Sequence, residues 1–287
     1  MWYGLRVRRH GSSRPCSRNH CSKRRLNGRA FFGGRGMIEL KHIHKAFGDN
    51  VVLDGVDMTI ETGQTVVLLG PSGVGKSVLL KHINGLLYPD AGEVWVDGLS
   101  VSELDRKTLA RLRSRIGYVF QFGALFDSED VFENIRLGIT DEDRFQDLDF
   151  CRSRISECLQ LVNLPPGTAG TYPADLSGGM KKRVGIARAI AGSPSYLLYD
   201  EPTSGLDPVN ADIIDALIEK LQEELSVTSI VVSHDVRGSF RVADKLALLK
   251  TGKIVATGSP NALKNSDNEH VREFLERDFG TSTMTEQ

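Results

Sequence analysis

From residue 37 onward, short runs of apolar residues alternate with segments in which apolar residues recur at helical spacing. Continuous apolar runs at 65–69, 94–96, 196–199 and 229–232 predict strands, and such runs are typical of a sheet covered on both faces. Strands that alternate with helices along the chain indicate an α/β fold. The sequence contains no internal repeat, so the pattern is not that of a tandem pair of domains.

Between about residues 122 and 192 the strand pattern fades and helical periodicity replaces it. Four apolar residues in this stretch lie on one face of a predicted helix: Phe150, Ile155, Leu159 and Val162. We therefore expect a helical subdomain over about 122–192, inserted into a main domain that covers 37–260.

The C-terminal tail, 261–287, contains a second amphipathic pattern. Its apolar residues recur at helical spacing: Val271, Phe274, Leu275 and Phe279. The pattern predicts a short helix after Ser259 and Pro260. Two roles are open for this helix: it helps to hold two copies of the chain together, or it folds onto its own domain.

Composition places the chain among ordinary globular proteins. Of its 287 residues, 40% are hydrophobic and 25% are charged, which excludes a wholly disordered chain. No apolar run approaches the roughly 18 residues that span a bilayer. Four cysteines are too few for a scaffold built on disulfides, and this favours a reducing compartment.

The net charge of −1 conceals a basic arm on an acidic body. Residues 1–36 contain ten Lys or Arg and no Asp or Glu, which leaves a net charge of −11 for the rest of the chain. The arm lacks apolar periodicity, so we expect a disordered or non-native extension. Three explanations are open: translation starts at Met37, the arm is a transit peptide, or it is a basic tail for anionic lipid or nucleic acid.

A glycine-rich segment, 70–77, reads GPSGVGKS and fits the pattern G-x-x-x-x-G-K-[ST]. It follows the predicted strand 65–69. It precedes a helix for which we expect three apolar residues on one face: Leu79, Ile83 and Leu86. Backbone N–H groups of such a loop face phosphate oxygens, and the helix N-terminus adds partial positive charge. Lys76 would then reach the β- and γ-phosphates, and Ser77 would be a Mg²⁺ ligand.

A loop of this kind predicts an acidic partner at the end of another apolar strand. Asp200 ends the predicted strand 196–199, and Glu201 follows it directly. We expect Asp200 to hold the Mg²⁺ shell and Glu201 to act as the general base that polarises the attacking water.

Further motifs occur in a fixed order around this loop. They are Phe47, Gln121, the segment LSGGM at 176–180, the segment SGLD at 204–207, and His234. With the phosphate loop and the acidic pair, they resemble the nucleotide-binding subunits of ATP-binding-cassette (ABC) transporters, over essentially all of 37–260. The resemblance implies a P-loop NTPase (RecA-like) α/β core with an antiparallel β portion and the inserted helical subdomain.

The resemblance also implies an ATP and Mg²⁺ site and a homodimer. Two copies pack head-to-tail around two ATP molecules, so that the helix N-terminus at Ser177 contacts the γ-phosphate held by the other copy. The implied ATP-binding residues are Phe47, Gly70, Pro71, Ser72, Gly73, Val74, Gly75, Lys76, Ser77, Val78, Ser177, Gly178, Gly179 and Asp207. The implied catalytic residues are Glu201, His234, Gln121 and Lys76, and the implied Mg²⁺ ligands are Ser77, Gln121 and Asp200.

One segment indicates which group of ABC ATPases the chain resembles. Residues 121–128 read QFGALFDS, 131–134 read VFEN, and the basic run 181–183 follows LSGGM. These resemble the ATPases of Mla and Mce-associated lipid transport systems. The resemblance implies a peripheral protein at the cytoplasmic face of the inner membrane, a membrane permease that docks near Phe122–Phe126, and a lipid-binding Mce-type partner. No nucleic-acid partner is expected. The alternative for Phe122, Leu125 and Phe126 is packing between the lobes.

Two other functions compete with lipid transport. The chain could drive an importer of amino acids or other small solutes, against which only the segment near 121–134 argues. It could also be an ABC ATPase outside transport, but such proteins carry tandem cassettes or long coiled coils, and this sequence has neither.

Overall fold

The structure of the protein is a computed structural model that describes residues 37–279, with side chains described as far as residue 276. The basic arm, 1–36, and the last residues of the tail, 280–287, lie outside the described residues, so the three explanations for the arm stay open.

Within residues 37–279 the chain forms ten strands and ten α-helices. The strands are β1 (Met37–Phe47), β2 (Asn50–Glu61), β3 (Thr65–Leu69), β4 (Ala91–Val96), β5 (Leu99–Ser100), β6 (Ile116–Val119), β7 (Tyr196–Asp200), β8 (Thr228–Ser233), β9 (Lys245–Lys250) and β10 (Lys253–Gly258). The α-helices are α1 (Lys76–Ile83), α2 (Arg106–Arg113), α3 (Val131–Arg136), α4 (Glu142–Gln146), α5 (Leu148–Leu161), α6 (Gly178–Ala191), α7 (Pro208–Leu225), α8 (Val236–Val242), α9 (Pro260–Lys264) and α10 (Glu269–Phe279).

The strands form two sheets. A four-stranded antiparallel sheet has the order β2-β1-β4-β5, and a six-stranded sheet has the order β10-β9-β3-β8-β7-β6. In the larger sheet all neighbours are parallel except β10 and β9. The expected combination of a parallel core with an antiparallel portion is therefore confirmed.

Strand β3 shows why the larger sheet is buried on both faces. Val66 and Leu68 belong to the core cluster shared with the antiparallel sheet and α1. Val67 and Leu69 point the other way, into the cluster shared with α5, α6 and α7. Because alternate side chains of a strand face opposite sides, a strand covered on both faces needs a continuous apolar run. This is the pattern from which β3 was predicted.

The predicted strand 94–96 is part of β4, but its surroundings differ from the prediction. It pairs with β1 in the antiparallel sheet, and Trp95 is partly exposed between the buried Val94 and Val96. The three apolar residues therefore alternate between a buried face and an outer face, which carries the large aromatic side chain. The expectation that this strand is buried on both faces is wrong.

Helix α1 is shorter than the sequence predicted. Leu79 and Ile83 are buried, as expected, but the helix ends at Ile83 and Leu86 lies beyond it, 53% exposed. Gly85 has φ +67°, a left-handed conformation that stops the helix, and the Asn84 side chain accepts a hydrogen bond from the Leu86 N–H. The prediction that Leu86 shares the buried face is wrong.

Residues 122–192, all of them described, contain helices and turns but no strand. Helix α5 presents its buried face to α6 and the core, and this face includes Ile155 and Leu159. Cys151 and Cys158 lie on the same buried face, and burial raises the pKa of Cys158 to about 11. Both thiols are therefore small buried groups rather than reactive ones, as the sequence indicated.

The tail helix α10 packs against its own domain. Val271 and Leu275 are buried in the same core cluster as α5 and α6, and Phe274 packs against it. The side chain of Phe279 lies beyond the described ones. The described part of the apolar face is thus covered within the chain, as the second of the two roles requires, and a role in holding two copies together stays a prediction. None of the helices within 37–279 is both long and apolar enough to cross a bilayer.

Candidate functional site

The carboxyl ends of four parallel strands lie at one edge of the larger sheet. The glycine loop follows β3, Gln121 follows β6, Asp200 and Glu201 end and follow β7, and His234 follows β8. Because these strands are parallel neighbours or near neighbours, residues far apart in sequence meet at this edge, which is where ligands bind in open α/β sheets.

The backbone of the glycine loop takes a conformation that leaves no room for a side chain at Gly75. Gly75 caps the N-terminus of α1 with φ +107°, and an added Cβ there would lie 2.8 Å from Val52 Cγ1. Lys76 is 4% exposed, and its Nζ donates to the carbonyls of Gly70 at 2.8 Å and Pro71 at 2.9 Å. Burial lowers the pKa of Lys76, while Glu201 and Asp200 oppose that shift. The loop is thus folded around a buried cation.

Ser77 and Asp200 form a compact pair of oxygen donors. The Ser77 hydroxyl donates to Asp200 Oδ1 at 2.6 Å, and the Tyr118 hydroxyl donates to Asp200 Oδ2 at 3.0 Å. Burial, followed by the charge of Asp200, raises the pKa of Tyr118, so the phenol stays a hydrogen-bond donor. Tyr118 was missed from the sequence, because it lies three residues before Gln121 and belongs to no motif.

Glu201 contacts three groups that were predicted as site residues. Its carboxylate accepts a hydrogen bond from Gln121 Nε2 at 3.0 Å, and it lies 3.7 Å from Lys76 Nζ and 3.5 Å from His234 Nδ1. Gln121 Nε2 also lies 3.3 Å from Ser204 Oγ. The structure therefore brings the predicted residues Lys76, Gln121, Glu201 and His234 together, and it adds Ser204. The Gln121 amide contacts Glu201 and Ser204 rather than the Ser77–Asp200 pair.

An open cleft lies over the glycine loop. Its lining consists of Phe47, Val52, Gly73, Gly75, Lys76, Ser77, Val78 and Glu201. Phe47 is 48% exposed, and Lys45 Nζ lies 5.5 Å from its ring centre. A half-exposed aromatic ring at the mouth of a phosphate-binding loop suits stacking of a planar base. Of the predicted ATP-binding residues, five line the cleft with Phe47: Gly73, Gly75, Lys76, Ser77 and Val78.

The LSGGM segment lies apart from this cleft, at the start of α6. Ser177 caps the helix by accepting a hydrogen bond from the Met180 N–H at 3.3 Å. Ser177 and Gly178 are exposed, whereas Gly179 is buried and an added Cβ would lie 2.7 Å from Asn210 Oδ1. Asp207 caps α7 through Asn210. The predicted signature residues and Asp207 thus lie close to each other around Asn210.

The 122–126 segment is half in the core and half on the surface. Phe122 and Phe126 are 81% and 56% exposed, whereas Leu125 packs against the core of the helical segment. The backbone of the segment is held by α6, because Arg188 of that helix donates to the carbonyls of Gly123 and Ala124 at 2.8 Å each. Packing between lobes therefore accounts for Leu125 but not for the two phenylalanines.

No group of three or more His, Cys, Asp or Glu residues that could hold a metal occurs in the part of the chain that the structure describes. Ser77 and Asp200 nevertheless present two oxygens of the hard type that Mg²⁺ prefers, one of them a carboxylate. Mg²⁺ in nucleotide sites completes its shell with water and substrate phosphate, so a two-residue protein contribution fits this ion.

A phosphate loop between β3 and α1, an acidic pair after β7 and a parallel sheet that joins them define a P-loop nucleotide-binding domain. The family model described as "ABC transporter" matches residues 53–204. The chain belongs to the ABC transporter family, and it is one of its ATP-hydrolysing subunits. The predicted family and enzyme class are confirmed.

Two relatives from bacteria agree with this assignment. The chain is 37% identical over 241 residues to the intermembrane phospholipid transport system ATP-binding protein MlaF of Haemophilus influenzae, covering 84% of this chain and 90% of that protein. It is 38% identical over 251 residues to the probable ribonucleotide transport ATP-binding protein mkl of Mycobacterium leprae, covering 87% and 72%.

Solved structures show the same fold. The cbiO1 protein of Clostridium perfringens, part of the ABC transporter complex cbiONQ, matches with a TM-score of 0.74 and 30% identity over 85% of this chain and 96% of that one. The ATP-binding cassette MJ0796, in a dimeric post-hydrolysis state bound to ADP and Pi, matches with a TM-score of 0.70 and 33% identity over 78% and 98%.

Proposed function

We propose that this ABC ATPase drives the transport of phospholipid, or a related lipid, between membranes. The observation that carries the proposal is the 37% identity to MlaF over most of both chains, combined with the segment 121–134 that resembles lipid-transport ATPases. The ATPase acts through its own site, and a membrane permease selects the lipid.

ATP is the substrate that fits the cleft over the glycine loop. Phe47 stacks on the adenine, and the N–H groups of 70–77 surround the phosphates. Lys76 Nζ, which now donates to two loop carbonyls, turns to the β- and γ-phosphates. Ser77 and Asp200 hold Mg²⁺, with Gln121 as a further ligand. Bound there, Mg²⁺ neutralises developing charge on the phosphates.

Glu201 acts as the general base. A water placed against its carboxylate gives up a proton to Glu201 as the water oxygen attacks the γ-phosphorus, and the bond to the ADP oxygen breaks. Gln121 and His234 lie on the same carboxylate, at 3.0 and 3.5 Å, so both can orient this water and the γ-phosphate. The charge of Lys76 stabilises the phosphate oxygens.

The ATP site is completed by a second copy of the chain. Ser177 and Gly178 are exposed at the N-terminus of α6, a 14-residue helix, and do not line their own cleft. In a head-to-tail homodimer this N-terminus faces the γ-phosphate bound by the other protomer. The dimeric state of the related MJ0796 cassette supports this arrangement.

A membrane permease docks on the exposed phenylalanines of the 122–126 segment. Phe122 and Phe126 are exposed, and Phe122 directly follows Gln121 in the chain, so a short permease helix seated on them would move with the catalytic site. We place the chain at the cytoplasmic face of the inner membrane, as a peripheral subunit, and expect a lipid-binding Mce-type protein in the complex.

The second candidate is a small-solute transporter. The observation that favours it is the 38% identity to the mkl protein of Mycobacterium leprae, whose name gives ribonucleotide transport. The ATPase chemistry is the same in both cases, because the substrate pocket lies in the permease.

Glu201→Gln tests the ATPase mechanism. The variant should lose steady-state ATP hydrolysis by about 10²–10⁴-fold, since only the base is removed, yet form an ATP-bound dimer. Phosphate release and sedimentation with ATP measure the two properties. Turnover equal to that of the wild type would overturn the role of Glu201.

The substrate is tested on the complex. The full chain is purified from membranes together with its permease, and co-purifying molecules are identified by mass spectrometry. Phospholipid enriched over its share of the membrane supports the proposal. ATPase stimulation by ribonucleotides or amino acids, with no lipid enrichment, supports the second candidate.

A further inference from the structure

Lys182 lies inside the protein, on the α6 helix that begins with the signature residues. Its residue exposure is 5%, and its neighbours on the buried side of α6 include Gly179, Gly185 and Ile186. Its Nζ donates hydrogen bonds to two main-chain carbonyls, those of Gln121 and Glu201, the latter at 3.3 Å. One cation on α6 therefore holds the backbone of two residues whose side chains meet in the catalytic site.

Burial of a charged ammonium group in this position costs free energy of solvation. Burial lowers the pKa of Lys182 to about 8, and the negative charge of Glu201 opposes that shift. An apolar residue would fill this place in a helix face without the loss of solvation. The ammonium group instead replaces water with two carbonyl oxygens, so its contacts explain why a lysine is found there.

The carbonyl of Glu201 belongs to a turn that needs support. Glu201 has φ +48°, a left-handed conformation that residues with side chains seldom adopt. Its N–H donates to the carbonyl of Val232 at 2.9 Å, and its carbonyl accepts from Lys182. Such a conformation persists when its surroundings fix it on several sides. The same carbonyl also accepts from the Ser204 N–H at 3.2 Å, within the turn itself, so loss of the Lys182 contact would remove the bond that ties this turn to α6.

Lys182 also fixes the backbone of Gln121, whose side chain is the hydrogen-bond partner of Glu201. The loop after β6 is held at the carbonyl of Gln121, and the side chain of Gln121 donates to Glu201 Oε2 at 3.0 Å. A shift of either backbone would change this distance. Lys182 thus acts on both ends of one catalytic hydrogen bond without touching the cleft, whose lining does not include it.

We propose that Lys182 is a positioning residue for ATP hydrolysis: it clamps the Gln121 and Glu201 backbones to the signature helix and so aims the Glu201 carboxylate. The proposal rests on the proposed role of Glu201 as the base. It assigns Lys182 a role that differs from phosphate binding, because its ammonium group is committed to main-chain carbonyls.

The test compares Lys182→Met, Lys182→Arg and a matched control, Lys220→Met, in the full chain. Lys220, on α7, also donates to a main-chain carbonyl, that of Leu161 at 3.0 Å, and its other hydrogen bond goes to Asn163 rather than to a residue of the catalytic site. Lys182→Met should lower kcat by about 10- to 100-fold with KM for ATP changed less than about threefold, because misplacement affects the chemical step rather than binding. Lys182→Arg should restore most of kcat, and Lys220→Met should stay near the wild type.

A double-mutant cycle separates positioning from general loosening. If Lys182 acts through Glu201, Lys182→Met should have almost no further effect on single-turnover hydrolysis in a Glu201→Gln background. An equal loss in both backgrounds, or a rise in KM that matches the fall in kcat/KM, would overturn the proposal. If Lys182→Met does not fold, Lys182→Gln carries the test, and a kcat within twofold of the wild type would then refute it. Glu201→Gln alone decides the separate question of whether Glu201 is the base.

Discussion

Asp215 gives a prediction about stability that follows from its position between two helices. It lies on α7, is 5% exposed, and accepts a hydrogen bond from Arg241 of α8 at 2.9 Å. Gly238 allows the close approach of α8, because a Cβ there would lie 2.2 Å from Asp215 Oδ2. Burial raises the pKa of Asp215 to about 6 from its ordinary value of 3.8, and Arg241 opposes this shift without cancelling it.

The sign of the pH effect follows from this shift. Between pH 3.8 and 6 the folded protein holds the Asp215 proton that the unfolded chain has lost, so stability falls as the pH rises through this window. The shift corresponds to about 3 kcal/mol once both states are ionised, and roughly half of it has already developed at pH 5. Replacing Asp215 by Asn removes this dependence while keeping an acceptor for Arg241.

Urea unfolding followed by circular dichroism at pH 5 and pH 7.5 measures the effect. The free energy of unfolding of Asp215→Asn, relative to the wild type, should rise by about 1.4 kcal/mol between these pH values. Asp212→Asn is the matched control, since Asp212 binds the same arginine at 2.8 Å but its side chain is 67% exposed. A relative stability of Asp215→Asn that does not change with pH would refute the reasoning, as would an equal change in the control.

Two further variants test the cleft and the docking surface. Phe47→Ala should raise the Kd for ATP at least about fivefold with a smaller effect on kcat, because stacking on a base contributes about 1 kcal/mol or more. Fluorescence titration measures this, and an unchanged Kd would mean that another residue holds the adenine. Phe122→Asp, at a side chain 81% exposed, should leave the thermal midpoint unchanged but release the chain from its permease in co-purification. Leu137→Asp, 49% exposed, is the control, and retention of Phe122→Asp would contradict the docking proposal.

The sequence predicted the elements whose local pattern and global environment agree. Strand β3 was predicted with its observed bounds, because burial on both faces leaves an uninterrupted apolar run that stops at Gly70. The strands before Asp200 and His234 were predicted to within one residue at each end for the same reason. Since these strands are parallel, the residues that follow them had to meet at one edge of the sheet.

The predictions from the sequence were wrong where an apolar residue lies outside the buried face that its spacing indicated. Leu86 continues the helical spacing of Leu79 and Ile83, but Gly85 ends the helix before it. Trp95 reads as part of a buried run and lies on the outer face of an antiparallel sheet. Periodicity records which residues are apolar, and it does not record which layer of the fold covers them.

The sequence pattern could not predict contacts between residues that are brought together only by the tertiary structure. Lys182 was noticed as part of a basic run, and a basic run predicts a solvated surface; its side chain is instead buried between two loops that are 61 and 19 residues away. Tyr118 likewise belongs to no motif, and it contacts Asp200 only because β6 pairs with β7 in the sheet.

The arrangement around Glu201 suggests how nucleotide binding prepares the base. Its carboxylate accepts a hydrogen bond from Gln121 Nε2 and lies 3.7 Å from Lys76 Nζ and 3.5 Å from His234 Nδ1, so three side chains direct nitrogen atoms at it. Phosphate oxygens in the cleft are competing acceptors for all three donors. If the donors turn to the γ-phosphate, the carboxylate is released at the moment when a target for the water is present. The bound triphosphate then serves both as substrate and as the competing acceptor that draws these donors from Glu201, while Lys182 holds the backbone of Glu201 in place.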